Sequence, residues 1–361
     1  MRILQIIASD SWGGGERYVF DLSLALKARG HEVEAVARRR GVVSERFAAE
    51  GIKVHFAPLS GAADVVGALK LSRLIAKGKV IIHTHNFKGT FTAAYARMLS
   101  GNRDVRIVTT RHLARPGKTD ALHSFLYRHI DRLIFISQLA RESFICSKPR
   151  IEAGKMVVVH NSIVCPGATE PADLRRQYGI APEKAVIMYH GRIAAEKGVE
   201  VLVKAASLLP RDKFHLLIFG TGTDSYTGEI ARLIAKLGLD SVVTMAGFLE
   251  NVWEAVAGCD FGVLPTVAKE AFGLSNLEYM AAGKAHIATT NGAQREYADT
   301  GVNALLVPPG NEAQLAKAMQ QLIDNKPLCR DMGARARTKY EQQLSYHHFL
   351  DRILAEYHSL Y

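Results

Sequence analysis

The sequence has 361 residues, of which 48% are hydrophobic and 22% are charged, as expected for a folded protein of about two domains. No apolar run approaches the roughly 18 residues that cross a membrane, and the four scattered cysteines form no C-x-x-C centre and indicate a reducing cytoplasm. The net charge of +11 comes from residues 1–165, which hold 26 Lys and Arg against 13 Asp and Glu. This excess favours an anionic partner, either a membrane face or a charged glycan, over a nucleic acid, because the sequence contains no nucleic-acid-binding motif. The alternative is that the whole proteome is basic.

Residues 1–165 alternate short apolar runs with helical patterns such as 18–28 and 65–76. This alternation predicts a parallel sheet covered by helices on both faces. The predicted strands are 3–8, 33–37, 54–57, 80–83, 106–110, 133–136 and 156–159.

The second half repeats this pattern after an interval, 162–182, that is rich in Pro and Gly and has no sustained apolar period. We therefore expect two doubly wound α/β domains, 1–165 and 166–343, that face a cleft. The predicted elements are strands 186–189, 215–219, 242–246, 261–264, 286–288 and 305–307, and helices 312–323, 328–340 and 346–357.

A run of three glycines follows the first strand, at Gly13, Gly14 and Gly15. Glycines at the entry to a helix let backbone amides approach a bound group closely. The run is not G-x-G-x-x-G, so the dinucleotide fingerprint is absent. The alternative is a tight turn from strand to helix.

Histidines cluster at the ends of two strands of the first domain. His83 and His85 alternate on one strand, Asn86 follows, and His112 comes after the strand 106–110. A metal site would usually include carboxylates or cysteines beside them, so we expect no metal here. The alternative for His85 is a histidine satisfied by its neighbours at the strand end.

The first strand of the second domain is followed by H-G-R-I-A-A-E-K-G, which places Arg192 and Lys197 on one loop. Two cations at such a position can neutralise a diphosphate and stabilise it as a leaving group. Taken alone, an Arg and a Lys at this spacing are usually solvated.

Residues 264–309 form the most informative segment. A strand stops at Pro265, a loop carries Glu270 and Gly273, and a helix is predicted to begin near Ser275. The free N–H groups at a helix start favour an anion, whereas acids beside it suit hydrogen bonds from hydroxyl groups. The alternatives are a capping box, S-x-x-E, for Glu278, and a solvated loop acid for Glu270.

This segment resembles the signature of the retaining GT-B glycosyltransferases of family 4, in which E-x7-E encloses F-G and continues as E-x-M-A-A-G. The blocks T-T-N-G-A-Q-R-E-Y and G-V-N-A-L-L-V-P-P-G-N also resemble the family, as does G-R-x4-K-G. Asn161 resembles the Asn of its P-N-G segment, although His160 and Ser162 replace the usual Pro and Gly.

The resemblance implies roles for the residues that match. Glu270 would contact the donor sugar, Glu278 the nucleotide ribose, and the amides of Gly273 and Leu274 the diphosphate.

For the remaining motifs, the resemblance implies that Gly14 and Gly15, or alternatively Gly13 and Gly14, touch the donor phosphate across the closed cleft. Arg192 and Lys197 would clamp the diphosphate, and His112 would contact the transferred sugar.

The resemblance also assigns domain roles. Residues 1–165 would bind the acceptor, with His85 and Asn86 as weaker acceptor-side candidates, and residues 166–343 would bind the donor. The helix in 344–361 would pack back on the first domain.

The predicted activity is therefore that of a retaining glycosyltransferase, of EC 2.4 type, which moves a sugar from a UDP- or GDP-linked donor to an acceptor hydroxyl. No cofactor or metal is expected, in keeping with the absence of a D-x-D motif. The basic first half suits a glycan or glycolipid acceptor, as in cell-envelope or lipopolysaccharide synthesis. We expect a cytoplasmic protein with a peripheral contact to the inner face of the membrane.

Two alternatives stay open. One is a catalytically silent GT-B-like scaffold that binds a membrane or glycan, which hydrolysis of the donor would distinguish from a catalyst. The other is another nucleotide-sugar enzyme, such as an epimerase or a sugar phosphorylase.

Overall fold

The structure is a computed structural model that describes residues 1–167 and 169–361. The chain forms two compact units, Met1–His160 with His347–Tyr361, and Asn161–Tyr346. The division thus precedes the boundary expected after residue 165. The reason is packing, since Ser162 donates a hydrogen bond to the carbonyl of Leu344 and the carbonyl of Ile163 accepts one from Tyr340, both within the second unit.

The first unit contains a parallel sheet of seven strands in the order β3-β2-β1-β4-β5-β6-β7. Its strands are β1 Arg2–Ile7, β2 Glu32–Ala37, β3 Lys53–Phe56, β4 Val80–Thr84, β5 Val105–Arg111, β6 Arg132–Phe135 and β7 Met156–Val158. Its first six helices are α1 Gly14–Ala28, α2 Val42–Ala49, α3 Val65–Leu74, α4 Phe87–Ser100, α5 Ala121–His129 and α6 Gln138–Ile145.

The second unit contains a parallel sheet of six strands in the order β10-β9-β8-β11-β12-β13. Its strands are β8 Ala185–His190, β9 Phe214–Phe219, β10 Val243–Gly247, β11 Phe261–Leu264, β12 Ala285–Thr289 and β13 Leu305–Val307. Its helices are α7 Leu174–Tyr178, α8 Val199–Ala206, α9 Asp224–Lys236, α10 Val252–Gly258, α11 Leu274–Ala281, α12 Glu312–Asp324 and α13 Lys326–Lys339. The short helix α7 lies within 162–182, the interval in which the sequence shows no sustained apolar period.

Both faces of the second sheet are covered. Along β8, Ile187 and Tyr189 pack into one apolar cluster, whereas Val186 and Met188 pack into another. Alternate side chains of a strand point to opposite faces, so the sheet is buried on both sides. The prediction of doubly wound α/β domains is therefore confirmed.

The last helix, α14 Tyr346–His358, packs on the first unit. The Phe349 ring contacts Tyr18 edge-on at 5.4 Å, and the Tyr357 hydroxyl lies 2.6 Å from Nδ1 of His83. The exposed side of α14 is polar, and Asp351 there pairs with Arg29 at 3.2 Å.

Both sheets follow the strand order of a Rossmann fold, in which the first strand lies beside the fourth. The order reverses between β1 and β4 in one unit and between β8 and β11 in the other. Ligands of open α/β sheets bind beyond the carboxyl ends of the strands at this point. The loops after these four strands carry most of the residues singled out in the sequence.

Candidate functional site

A cavity of about 340 Å³ lies at the carboxyl edge of the first sheet. Its walls come from the loops that follow β1, β4 and β5, which meet at the reversal of strand order. The lining residues that matter below are Gly15, Glu16, His85, Asn86, Thr110 and His112.

The glycine run forms the entry to α1. Gly13 is the N-cap residue, and a Cβ placed on Gly14 or Gly15 would meet no atom within 4 Å. The packing of the protein itself therefore does not require glycine at these two positions. Open space above the backbone is what the close approach of a bound group requires.

His112 and His85 lie side by side at the cavity, with Nε2 of His112 3.3 Å from Nδ1 of His85. Burial lowers the pKa of His112 to about 4 and that of His85 well below its ordinary value, so both rings are neutral at pH 7. Asn86 also lines the cavity, but its Oδ1 caps α4 by accepting a hydrogen bond from the Gly89 amide at 3.0 Å. Among the described residues none binds the amide nitrogen of Asn86, which is therefore available to a ligand.

In the second unit, Lys197 and Glu270 form an ion pair, with 2.5 Å between Nζ and Oε2. The two side chains are 23% and 13% exposed, so the pair is largely shielded from water. Thr266 donates a further hydrogen bond to the same carboxylate oxygen at 3.3 Å. In the described part of the chain, no residue binds the other oxygen, Oε1.

The backbone holds these two loops together. The amides of Val267 and Ala268 donate to the carbonyl of Glu196 at 3.0 and 3.2 Å. Next to Lys197, Gly198 has a φ of +73°, and a Cβ there would lie 2.0 Å from the carbonyl oxygen of Pro265. This close approach requires glycine.

Glu278 accepts a hydrogen bond from Nε2 of His190 at 2.5 Å. The helix α11 begins at Leu274 behind Gly273, and Ser275 donates its hydroxyl to the carbonyl of His190 at 3.0 Å. The capping box considered for Glu278 does not form, because both of its side chains bind His190. The second oxygen of this 20% exposed carboxylate has no partner among the residues described.

Gly273 adopts a left-handed conformation with a φ of +87° at the start of α11. The Tyr297 hydroxyl donates to the carbonyl of Phe272 at 2.6 Å, and Asn276 donates to that hydroxyl at 3.1 Å. These contacts fix the loop before the helix. The first amides of α11, including that of Leu274, have no acceptor within the helix and can bind an anion.

Arg192 is the exception among the predicted residues of this unit. Its side chain is 64% exposed and pairs with Glu196 at 2.7 Å, and it contacts neither Glu270 nor Glu278. An exposed pair of this kind contributes little to stability, so the guanidinium is available to exchange Glu196 for a ligand.

Sequence reasoning missed three contributors. His190 and Thr266 bind the two glutamates, and the only signal in the sequence was their position at the end of a strand. A second glycine loop, Gly220–Gly222, follows β9 and packs against the carbonyls of Gly191 and Ile193. Two glycines directly after a strand were the signal for it.

The described residues contain neither a cluster of metal-binding side chains nor a helix able to cross a membrane. Between them, residues 1–167 and 169–361 hold no group of three or more His, Cys, Asp or Glu side chains placed to bind a metal ion. In the same ranges, no helix combines the length and apolar composition needed to cross a bilayer.

The family model of glycosyl transferases group 1 matches residues 171–339, and that of glycosyltransferase family 4 matches residues 12–165. The chain belongs to the glycosyl transferases of group 1. Among the relatives of this glycosyltransferase, the N-acetyl-alpha-D-glucosaminyl L-malate synthase of Bacillus anthracis is 27% identical over 308 residues, which are 82% of this chain and 78% of the relative.

Two solved structures show the same fold as the glycosyltransferase. Anabaena HepE in complex with UDP superposes with a TM-score of 0.87 at 21% identity, over 99% of this chain and 100% of HepE. The lipopolysaccharide outer core galactosyltransferase WaaB, in its apo form, superposes with a TM-score of 0.77 at 18% identity, over 99% and 100% of the chains. These likenesses confirm the predicted GT-B fold.

Proposed function

We propose that this glycosyltransferase transfers a sugar from a nucleotide-diphosphate-sugar to an acceptor hydroxyl with retention of anomeric configuration. The observation that carries the proposal is the arrangement of Glu270 and Glu278 at the point where the strand order of the second sheet reverses. Lys197 holds one oxygen of Glu270 and His190 holds one oxygen of Glu278, and among the described residues the other oxygen of each carboxylate has no partner.

Each unpaired oxygen suits one hydroxyl group of the donor. A carboxylate accepts hydrogen bonds and cannot donate them, so it selects hydroxyl groups over phosphate oxygens. Glu278, in the first turns of α11, would bind the ribose, and Glu270, in the loop before it, would bind the sugar. This division follows the resemblance of the segment to family 4.

The diphosphate would lie at the start of α11. The amides of Gly273 and Leu274 and the ammonium group of Lys197 would stabilise its charge as the glycosidic bond breaks. Arg192 would add a second cation after leaving Glu196. None of these contacts calls for a metal ion, and we propose that transfer proceeds without one.

HepE, with the same fold, has been crystallised with UDP and with UDP-glucose, which supports a uridine donor over a guanosine donor. The proposal is tested by thermal shift with UDP-, GDP-, ADP- and CMP-sugars. A donor at 100 times its Kd should add about 2.7 kcal/mol to the free energy of unfolding. Glu278→Ala should abolish the shift, and Glu183→Ala, an exposed acid before β8 at the opposite edge of the sheet, should keep it.

Product analysis completes this test. The anomeric proton of the product should show the configuration of the donor by NMR, and inversion would contradict the mechanism. If no nucleotide sugar shifts the melting temperature or is hydrolysed, the assignment of these residues to a donor site is wrong. A catalytically silent scaffold then explains the sequence better.

We further propose a glycan or glycolipid acceptor at an anionic membrane, in a lipopolysaccharide-type synthesis. The fold likeness to WaaB supports the class of acceptor. On α3, Val65, Val66 and Leu69 are exposed apolar residues beside the exposed cations Lys70 and Arg73. Each cation near an anionic surface contributes about 1 kcal/mol.

The membrane proposal is tested by flotation with anionic and with neutral liposomes. Binding should require anionic lipid, weaken with salt and fall in a Val65→Ser/Val66→Ser variant. Equal recovery with neutral liposomes, or no effect of the variant, would contradict it.

A further inference from the structure

Three histidines of the first unit, His83, His85 and His112, lie next to one another beside the cavity. The rings of His83 and His85 are 4.3 Å apart, and those of His85 and His112 are 5.6 Å apart. Burial lowers the pKa of all three, to about 3 for His83 and about 4 for His112. Each neutral ring therefore carries one protonated and one bare nitrogen.

Gln5 determines which nitrogen of His85 is protonated. Its side chain on β1 is fully buried, and its Oε1 lies 2.9 Å from Nε2 of His85. A carbonyl oxygen only accepts hydrogen bonds, so Nε2 of His85 donates and Nδ1 is bare. The bare Nδ1 in turn accepts from Nε2 of His112, 3.3 Å away.

The remaining nitrogen of His112, Nδ1, is thus left without a proton. Among the described residues none binds this nitrogen, and the nitrogen is not fully buried. It is therefore accessible, and His112 lines the cavity. A bare ring nitrogen at this position accepts a hydrogen bond from a hydroxyl group and cannot donate one.

The surrounding groups keep the three rings in place without competing for these nitrogens. His83 is satisfied separately, by the Tyr357 hydroxyl at Nδ1 and by Thr110 at Nε2, at 2.6 and 2.7 Å. Tyr18 packs edge-on against both His112 and His85, with ring centroids 4.7 and 5.6 Å away.

We propose that Gln5 and His85 are positioning residues that hold His112 as its Nε2–H tautomer, so that its Nδ1 accepts a hydrogen bond from a hydroxyl group of the substrate. The inference rests on the proposed function, in which His112 contacts the transferred sugar. It adds the direction of that hydrogen bond and the buried residue that sets it.

The direct test is the tautomer of His112 in the free protein, read from the side-chain ¹⁵N shifts and assigned with a His112→Asn variant. We expect a protonated Nε2 and a bare Nδ1. A proton on Nδ1 would overturn the proposal. Because this measurement needs no substrate, it separates failure of the relay from failure of the proposed transferase reaction.

Variants of Gln5 test the relay, since this fully buried side chain cannot touch the substrate. Gln5→Leu removes the acceptor and should mix the two tautomers of His112, with a loss in kcat/KM of roughly tenfold, the worth of about one hydrogen bond. Ser23→Ala removes another buried hydrogen bond, to the Val19 carbonyl at 2.7 Å, and controls for lost stability.

A purely structural role predicts a different pattern. Gln5→Leu would then lower the melting temperature as Ser23→Ala does and leave the ¹⁵N shifts of His112 unchanged, and the proposal would be wrong. If Gln5→Leu does not fold, the tautomer of His112 in the unsubstituted protein still tests the proposal.

Discussion

The ion pair between Lys197 and Glu270 offers the sharpest test of the candidate site. Replacing Lys197 by Met removes the cation and leaves a carboxylate that is 13% exposed and that keeps, among the described residues, the hydrogen bond from the Thr266 hydroxyl. Breaking a fully buried pair costs about 3 to 5 kcal/mol, and an exposed pair contributes about 0 to 1 kcal/mol. For a pair shielded to this degree we expect a loss of about 2 kcal/mol.

The chain provides a matched control. Lys204 and Glu200 form a pair of similar length, 2.7 Å, but both side chains are about half exposed. Lys204→Met should therefore cost well under about 1 kcal/mol. Urea denaturation measures both losses, and a double-mutant cycle with Glu270→Gln should recover part of the loss at Lys197. Equal costs at Lys197 and Lys204 would refute the electrostatic argument.

The same variant tests the chemistry. If Lys197 stabilises the leaving diphosphate, Lys197→Met should lower kcat by about 10² to 10³, the effect of one preorganised contact in a transition state. Glu270→Gln in the Lys197→Met background should restore part of the lost stability without restoring kcat. A variant with normal kcat would exclude Lys197 from the donor site.

Three further outcomes are expected. His286 is fully buried, and burial lowers its pKa from 6.5 to about 4. The stability that depends on the neutral form of His286 is therefore present above about pH 6.5 and is lost as the pH falls towards 4. His286→Leu should flatten the fall of Tm over this pH range. Parallel curves of Tm against pH for the variant and the unsubstituted protein would contradict this. Gly198→Ala should lower Tm more than Gly301→Ala, since both have a positive φ but only Gly198 faces the Pro265 carbonyl; equal shifts would show that the contact is absent. Transfer should withstand EDTA, and a loss reversed by Mg²⁺ or Mn²⁺ would show that the reaction needs a metal.

Much of the fold could be predicted because both sheets are buried on two faces. Strands such as β8 and β11 are mostly apolar runs that stop before Gly191 and Pro265, and such runs are visible without any tertiary information. Strand β11 was predicted with the bounds that the structure has, and α12 differs by one residue at its end. The short helix α7 was missed, since five residues give too little periodicity.

The partners within the site were beyond sequence reasoning. Glu278 and His190 are 88 residues apart, and Lys197 and Glu270 are 73 apart. The pattern S-x-x-E at Ser275 equally suited a capping box, which is a local interaction. Only the adjacency of β8 and β11 in the sheet brings His190 to Glu278 and decides between the two.

The sequence by itself therefore determined the elements, the fold class and the family, because hydrophobic period, glycine placement and motif spacing are local properties of the chain. The tertiary structure alone decided which charges are paired, which carboxylate oxygens stay open and which nitrogen of His112 is bare. These depend on strand order and burial, which bring residues far apart in sequence within hydrogen-bonding distance and lower the pKa of the histidines enclosed there.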